Sequence, residues 1–123
     1  MISWPTRMQL ANLPTPLTRL ERYPGLPDDP GHALAASQMT GGFGGMVSFE
    51  PQGDGRDAIR VVNACQVWKP ATSLGGVESL IEHRRTSEGD IATTTPEALI
   101  RCSTGIENAD DLIGDLDRAL SAL

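Results

Sequence analysis

The sequence predicts an α+β fold in which a small, mainly antiparallel sheet carries helices on one face. Three observations lead to this prediction. The length of 123 residues suits one compact domain. Three or four short segments have the character of β-strands, and two or three others have the spacing of amphipathic helices. Elements of both kinds in one small chain favour a helical layer packed on a sheet.

Strands are predicted over residues 17–23, 46–50, 67–71 and 98–103. The segment 46–50 alternates between two sets of side chains and follows a glycine-rich stretch. The segment 98–103 is expected to be a central strand. Residues 77–82 are compatible with a strand or a helical turn, because periodicity cannot distinguish the two over so few positions.

Two helices are predicted before the last quarter of the chain. Residues 30–39 follow Asp29, and Pro30 suits the first helical position. Residues 56–66 form the second. Its core-facing side is expected to carry Ile59, Val62 and Cys65 or Gln66. The polar, Thr-rich residues 84–96 are expected to be a loop.

The clearest helix is predicted over residues 109–122. Asn108 is a good N-cap, and Asp110 and Asp111 suit the positive end of the helix dipole. The apolar residues at helical spacing are Leu112, Ile113, Leu116, Ala119, Leu120 and Leu123. The acidic residues around this helix are expected to form a solvated face: Glu107, Asp110, Asp111, Asp115 and Asp117.

Composition excludes several classes of function. The formal net charge of −6 argues against binding DNA or RNA, which needs a clustered basic face. Cys65 and Cys102 lack a CxxC spacing, and His32 and His83 form no metal motif, so no metal site is predicted and the cysteines are expected in the core. No apolar run approaches the ~20 residues of a membrane span. Residues 1–5 do not resemble a secretory signal, so a cytoplasmic location is expected.

Four segments carry a family resemblance when they are taken together and in order. They are Tyr-Pro-Gly-Leu with Pro-Gly-His after it (23–32), Gly-Phe-Gly-Gly-Met-Val-Ser-Phe (42–49), Ala-Thr-Ser-Leu-Gly-Gly-Val-Glu-Ser-Leu (71–80) and Leu-Ile-Arg-Cys-Ser-Thr-Gly-Ile-Glu (99–107). This set resembles the Cys/Met metabolism enzymes that depend on pyridoxal phosphate (PLP), the group of cystathionine γ-synthase, γ-lyase and β-lyase. The resemblance covers residues 19–123. Residues 1–18 are expected to be an N-terminal arm or linker.

The resemblance implies the small C-terminal domain of a fold-type I enzyme, which closes the active site over PLP. It implies that Arg101 binds the substrate α-carboxylate, for which the planar guanidinium is well suited. Ser73 would meet the same carboxylate. Thr72 stands where many members have glutamate and is shorter, so lyase or synthase specificity stays open. If Arg101 points into an open pocket, its partner would be a ligand rather than the protein, and Arg101→Ala should hardly change stability.

The resemblance also implies what these residues do not supply. The family's Schiff-base lysine lies upstream of the matching region, and the chain has a single lysine, Lys69, in a different context. No catalytic residue and no bound PLP are therefore expected for this chain alone, although PLP is the cofactor of the parent family. The connection between His83 and Arg101 is shorter than is common in the family.

Three hypotheses about the function are compatible with these observations. The favoured one is part of an enzyme that forms or breaks C–S bonds in amino acids, inactive by itself. The second is a subunit that completes an active site with a separate large-domain chain. The third is a non-catalytic module for ligand binding or self-association. A homo-oligomer is expected, because the proline-rich N-terminal residues carry apolar side chains that need a surface to pack on: Trp4, Met8, Leu10 and Leu13.

Overall fold

The computed structural model describes residues 18–91 and 94–123. The strands in these ranges are β1 (Thr18–Arg22), β2 (Met46–Pro51), β3 (Lys69–Pro70), β4 (Leu80–His83) and β5 (Ile100–Ser103). The α-helices are α1 (His32–Gln38), α2 (Gly55–Ala64), α3 (Arg84–Glu88) and α4 (Ala109–Ser121), and a 3-10 turn covers Gly89–Ile91. The predicted arm over residues 1–18 lies outside the described residues, except for Thr18.

The five strands form one sheet in the order β1-β2-β5-β4-β3. Three of the four pairings are antiparallel, and only the short pairing of β3 with β4 is parallel. The prediction of a small, mainly antiparallel sheet is thus confirmed. The strand predicted as central, now β5, lies in the middle. Residues 77–82, which were ambiguous, end in a strand.

Helices α2 and α4 pack together over one face of the sheet. Burial of their apolar sides against the strands provides most of the free energy that holds the layers together. The largest fully buried side chains include Trp68, Tyr23, Phe49, Ile81, Ile100, Leu112, Leu116 and Leu120. No helix within residues 18–91 or 94–123 is long and apolar enough to cross a bilayer.

The two main helices begin at clear capping residues. Asn108 accepts hydrogen bonds from the N–H groups of Asp110 and Asp111, as its predicted N-cap role requires. Asp54 caps α2, and Asp57 accepts from the Asp54 N–H in return, which completes a capping box. These side chains satisfy backbone donors that have no partner inside a helix.

The buried side of α2 differs from the predicted one. Ala58, Val61 and Val62 face the core, whereas Ile59 is 38% exposed. The buried residues follow the helical spacing i, i+3 and i+4, and Ile59 falls outside this stripe. Of the predicted set, Val62 is buried, Cys65 is half-buried and Gln66 is exposed.

The loop predicted over residues 84–96 is partly helical, because it contains α3 and the 3-10 turn. Side-chain contacts that sequence patterns do not reveal stabilise this connection. Arg84 Nε donates to Glu88 Oε1 at 2.7 Å across one helical turn. His83 bridges the two ends of the connection, with Nδ1 2.6 Å from Thr86 Oγ1 and Nε2 2.6 Å from the Glu97 carbonyl oxygen.

The predicted solvated face of the last helix is wrong at Asp115. Asp115 is buried, and its carboxylate accepts hydrogen bonds from three consecutive backbone N–H groups, those of Gln66, Val67 and Trp68. Arg118, one turn later, pairs with the same carboxylate. A buried acid is stable here because it binds the turn that leads from α2 into β3.

Candidate functional site

Arg101 lies in the second position of the central strand. Its neighbours Ile100 and Cys102 are buried in the core beneath the helices. Side chains alternate between the two faces of a strand, so Arg101 stands on the face away from the helical layer. Its Cα partners are Ser48 on β2 and Glu82 on β4.

Arg101 forms an ion pair with the residue opposite it. Its Nη1 donates to Glu82 Oε1 at 2.9 Å, and the Arg101 side chain is 22% exposed. Arg101 therefore has a protein partner, and the condition of an open pocket with only a ligand as partner is not met. Residue patterns did not identify Glu82, because nothing local marks a strand glutamate as the partner of an arginine 19 positions later.

Glu82 also contacts a second arginine. Arg84 Nη1 donates to the same Oε1 at 3.1 Å, and only 4% of the Glu82 side chain is exposed. Burial raises the pKa of Glu82, but the nearby side chains of Ser87, Arg101 and Arg84 more than offset this and lower the pKa below its ordinary value. Glu82 therefore remains ionised between the two arginines.

The loop after β3 carries the other two predicted site residues. The Ser73 hydroxyl accepts from the Gly76 N–H at 3.3 Å, which closes a tight turn. Gly75 has a φ of 87°, a conformation that favours glycine. The Gly75 N–H donates to Ser103 Oγ at 2.9 Å, two residues beyond Arg101 on β5. This contact joins the loop to the strand of the arginine.

A second set of contacts locks the end of this loop in place. The Ser79 N–H and Oγ donate to the two carboxylate oxygens of Glu107 at 2.8 and 2.6 Å. The Gly105 N–H donates to Ser79 Oγ at 2.8 Å. Burial raises the pKa of Glu107, but the hydrogen bonds from Ser79 prevail and lower it. Glu107 is therefore a structural anchor and not part of a solvated face.

Glu82 also lines a cavity of about 300 Å³. Thr72 and Glu82 both line it, together with Ser87 of α3 and the outward-turned Ile59 of α2. Arg101 and Ser73 are not among its lining residues. Thr72 thus lines the same cavity as Glu82, the partner of Arg101. The turn that contains Ser73 contacts Ser103, which lies on the same strand as Arg101.

The single lysine does not fit a covalent PLP linkage. Lys69 lies exposed on the edge strand β3, and its Nζ donates to the Gln66 carbonyl oxygen at 2.7 Å. An amine that holds PLP needs a pocket around it and a freely reacting nitrogen. No step of a reaction can be assigned to this residue.

The two cysteine thiols are not activated as nucleophiles. Burial raises the pKa of the Cys65 thiol to about 12, and burial also raises that of Cys102, so both stay protonated. Within the described part of the chain, no group of three or more His, Cys, Asp or Glu side chains could hold a metal ion.

Comparisons with known proteins agree with this architecture. A family model described as "Cys/Met metabolism PLP-dependent enzyme" matches residues 15–121. A cystathionine gamma-synthase of Mycobacterium tuberculosis is 48% identical over 102 residues, which cover 80% of this chain and 26% of that protein. The Escherichia coli cystathionine gamma-synthase is 42% identical over 114 residues, covering 87% of this chain and 29% of the relative.

A solved structure is similar as well. The crystal structure of metB from Corynebacterium glutamicum matches with a TM-score of 0.81 and 37% identity, covering 94% of this chain and 30% of that one. The chain therefore spans less than a third of the length of these relatives. All four segments that carried the resemblance fall within the residues of the family match. The chain belongs to the Cys/Met metabolism family of PLP-dependent enzymes.

Proposed function

We propose that residues 19–123 form the substrate-carboxylate-binding part of a transsulfuration enzyme that makes or breaks C–S bonds in amino acids. The observation that carries the proposal is the placement of Arg101. Its guanidinium stands in the middle of the sheet, on the face away from helices α2 and α4, and is held along one edge by Glu82. A fixed guanidinium that is partly shielded from water is a strong carboxylate ligand.

The hydrogen bonds of Arg101 leave room for such a ligand. Among residues 18–91 and 94–123, its guanidinium donates from Nη1 to Glu82. A planar guanidinium has five N–H donors, so the remaining ones can form the parallel pair that a carboxylate accepts. The proposed role of Arg101 is therefore bidentate binding of the substrate α-carboxylate.

Ser73 and Thr72 have lesser proposed roles. The Ser73 oxygen already accepts from Gly76, so its hydroxyl hydrogen is available to donate to a carboxylate oxygen. Thr72 is exposed and lines the cavity next to Glu82. Its short side chain cannot reach as far as a glutamate would, and we propose that this position influences the choice of leaving group.

The cofactor and its lysine are proposed to come from polypeptide outside these 123 residues. The position of Lys69 supports this, because the side chain is exposed on an edge strand. PLP, when bound in an enzyme of this family, acts as an electron sink for the carbon next to the amino group. These residues by themselves are therefore not expected to turn over substrate.

The test is a chimera in which residues 19–123 replace the matching segment of the E. coli cystathionine gamma-synthase. Its activity is measured as kcat/KM for cystathionine formation. We expect Arg101→Met to lower kcat/KM roughly 30-fold or more, because removing one partner of a buried charged pair costs about 2 kcal/mol or more.

The matched control is Arg60→Met, since the Arg60 side chain on α2 is 65% exposed and pairs with Asp57 of its own helix. This variant should keep the kcat/KM of the chimera. If Arg101→Met stays within about threefold of the unsubstituted chimera, Arg101 is not the carboxylate ligand.

A further inference from the structure

We propose that Glu82 is a positioning residue that holds Arg101 ready to bind a carboxylate; this inference rests on the proposed function. The two residues are direct partners across β4 and β5, and their side chains meet at 2.9 Å. Because only 4% of the Glu82 side chain is exposed, its carboxylate cannot turn away into water. Glu82 therefore restrains the position of the Arg101 guanidinium.

Glu82 is itself held by the connection that follows β4. Arg84 donates from Nη1 to Glu82 and from Nε to Glu88, and Glu88 accepts from the Thr95 hydroxyl. These contacts form a chain of alternating charge, Arg101–Glu82–Arg84–Glu88. Helix α3 thus stabilises the orientation of a residue in the central strand.

The ion pair with Glu82 lowers the entropic cost of binding a carboxylate, and it does not cancel the positive charge of Arg101. A long arginine side chain loses rotamer freedom when it binds a ligand, and this loss weakens the affinity. In the structure, the ion pair with Glu82 already restricts the rotamers of Arg101 before a ligand binds. Arg84 donates to the same Oε1, so two arginines, and not Arg101 alone, balance the negative charge of Glu82. The positive charge that a carboxylate needs is retained.

The experiment uses the full 123-residue chain, with ¹⁵N labelling, and follows the Arg101 Nε–H signal by NMR. The probes are L-alanine, which has a free α-carboxylate, and L-alaninamide, which lacks one. The unsubstituted chain should show a saturable shift with L-alanine only. In Glu82→Gln, we expect the Kd for L-alanine to rise about three- to tenfold, the change associated with ordering one long side chain.

Glu50→Gln is the matched control. Glu50 on β2 accepts from Arg22 Nη2 at 3.1 Å, and its side chain is 10% exposed, so it forms a comparable strand ion pair with a different arginine. Both substitutions are expected to lower the urea midpoint of unfolding, but only Glu82→Gln should change the Kd for L-alanine. Arg84→Gln should raise that Kd by a smaller factor.

The outcomes separate the two proposals. If L-alanine and L-alaninamide shift the Arg101 signal of the unsubstituted chain equally, the proposed carboxylate site is wrong. The positioning role proposed for Glu82 is then wrong as well. If L-alanine binds selectively and Glu82→Gln keeps the same Kd, or if Glu50→Gln raises the Kd equally, the site stands and the positioning role is wrong.

Discussion

At the scale of single residues, Asp115 shows how a buried acid can organise a turn. Three backbone N–H groups and Arg118 converge on its carboxylate. Burial raises the pKa of Asp115, but the hydrogen bonds from Gln66, Trp68, Val67 and Arg118 more than compensate and lower it below its ordinary value of 3.8. The ionised form is therefore the one that stabilises the fold.

Asp115→Asn should lower the free energy of unfolding by about 2–3 kcal/mol at pH 7, because it removes the charge from several hydrogen bonds. Urea unfolding measures this. The pKa in the folded state lies below that in the unfolded state, so the stabilisation is present above about pH 4 and is lost as the pH falls further. The difference in the free energy of unfolding between Asp115→Asn and the unsubstituted chain should therefore shrink as the pH falls below 4.

The control for this prediction is Asp117→Asn, an exposed aspartate of the same helix. It should change the free energy of unfolding by no more than about 0.5 kcal/mol. A gap between the Asp115 variant and the unsubstituted chain that persists unchanged down to pH 3 would show that the charge of Asp115 is not what stabilises the turn.

At the scale of elements, the loop after β3 and the segment after β5 are packed together without space for a side chain at Gly105. A Cβ there would lie 2.2 Å from the carbonyl oxygen of Val77 and 2.6 Å from the carbonyl carbon of Glu78. The Ile106 N–H donates to the same Val77 oxygen at 3.0 Å. This close approach holds the loop that carries Ser73 beside the strand that carries Arg101.

Gly105→Ala should therefore destabilise the chain by about 2–3 kcal/mol, because backbone rather than a flexible side chain would have to move. Gly114→Ala in α4 is the matched control. A Cβ at Gly114 meets nothing within 4 Å, and alanine is the better helix former, so this variant should gain about 0.5–1 kcal/mol. Equal urea midpoints for the two variants would contradict this account of the loop.

At the scale of the whole molecule, exposed apolar side chains lie around the same loop. Leu74 is 81% exposed, Val77 67% and Ile106 61%. Val77 and Ile106 are adjacent through their backbone hydrogen bond. Proteins seldom leave such groups of side chains in water, so this surface favours contact with another polypeptide.

We expect the chain to self-associate through this surface. Light scattering over a dilution series should give masses above the 13.1 kDa of one chain at high micromolar concentration. Replacing Val77 and Ile106 together by threonine should weaken the association, whereas Ile91→Thr, at a site 81% exposed but on the 3-10 turn, should not. A mass of one chain throughout the series would refute the expectation. The N-terminal side chains on which the prediction of a homo-oligomer was based, Trp4, Met8, Leu10 and Leu13, lie outside the described residues.

Residue patterns determined much of this fold correctly. The central strand, the strand over residues 46–50 and the helix after Asn108 all occur where they were predicted. The family also followed from residue order, because its turns and motifs are local. Such features can be predicted since alternation, helical spacing and capping depend on residues within a few positions of one another.

The predictions failed where a residue depends on a distant partner. Glu82 was not identified, although it pairs with Arg101, and Glu107 and Asp115 were expected in solvent, although they bind Ser79 and the Gln66–Trp68 turn. These contacts join residues 19, 28 and 47 positions apart. The sequence by itself determined the family, the main elements and the arginine proposed to bind substrate. Only the tertiary structure decided what holds that arginine, because strand pairing and helix packing bring together charges whose separation in the chain carries no periodic signal.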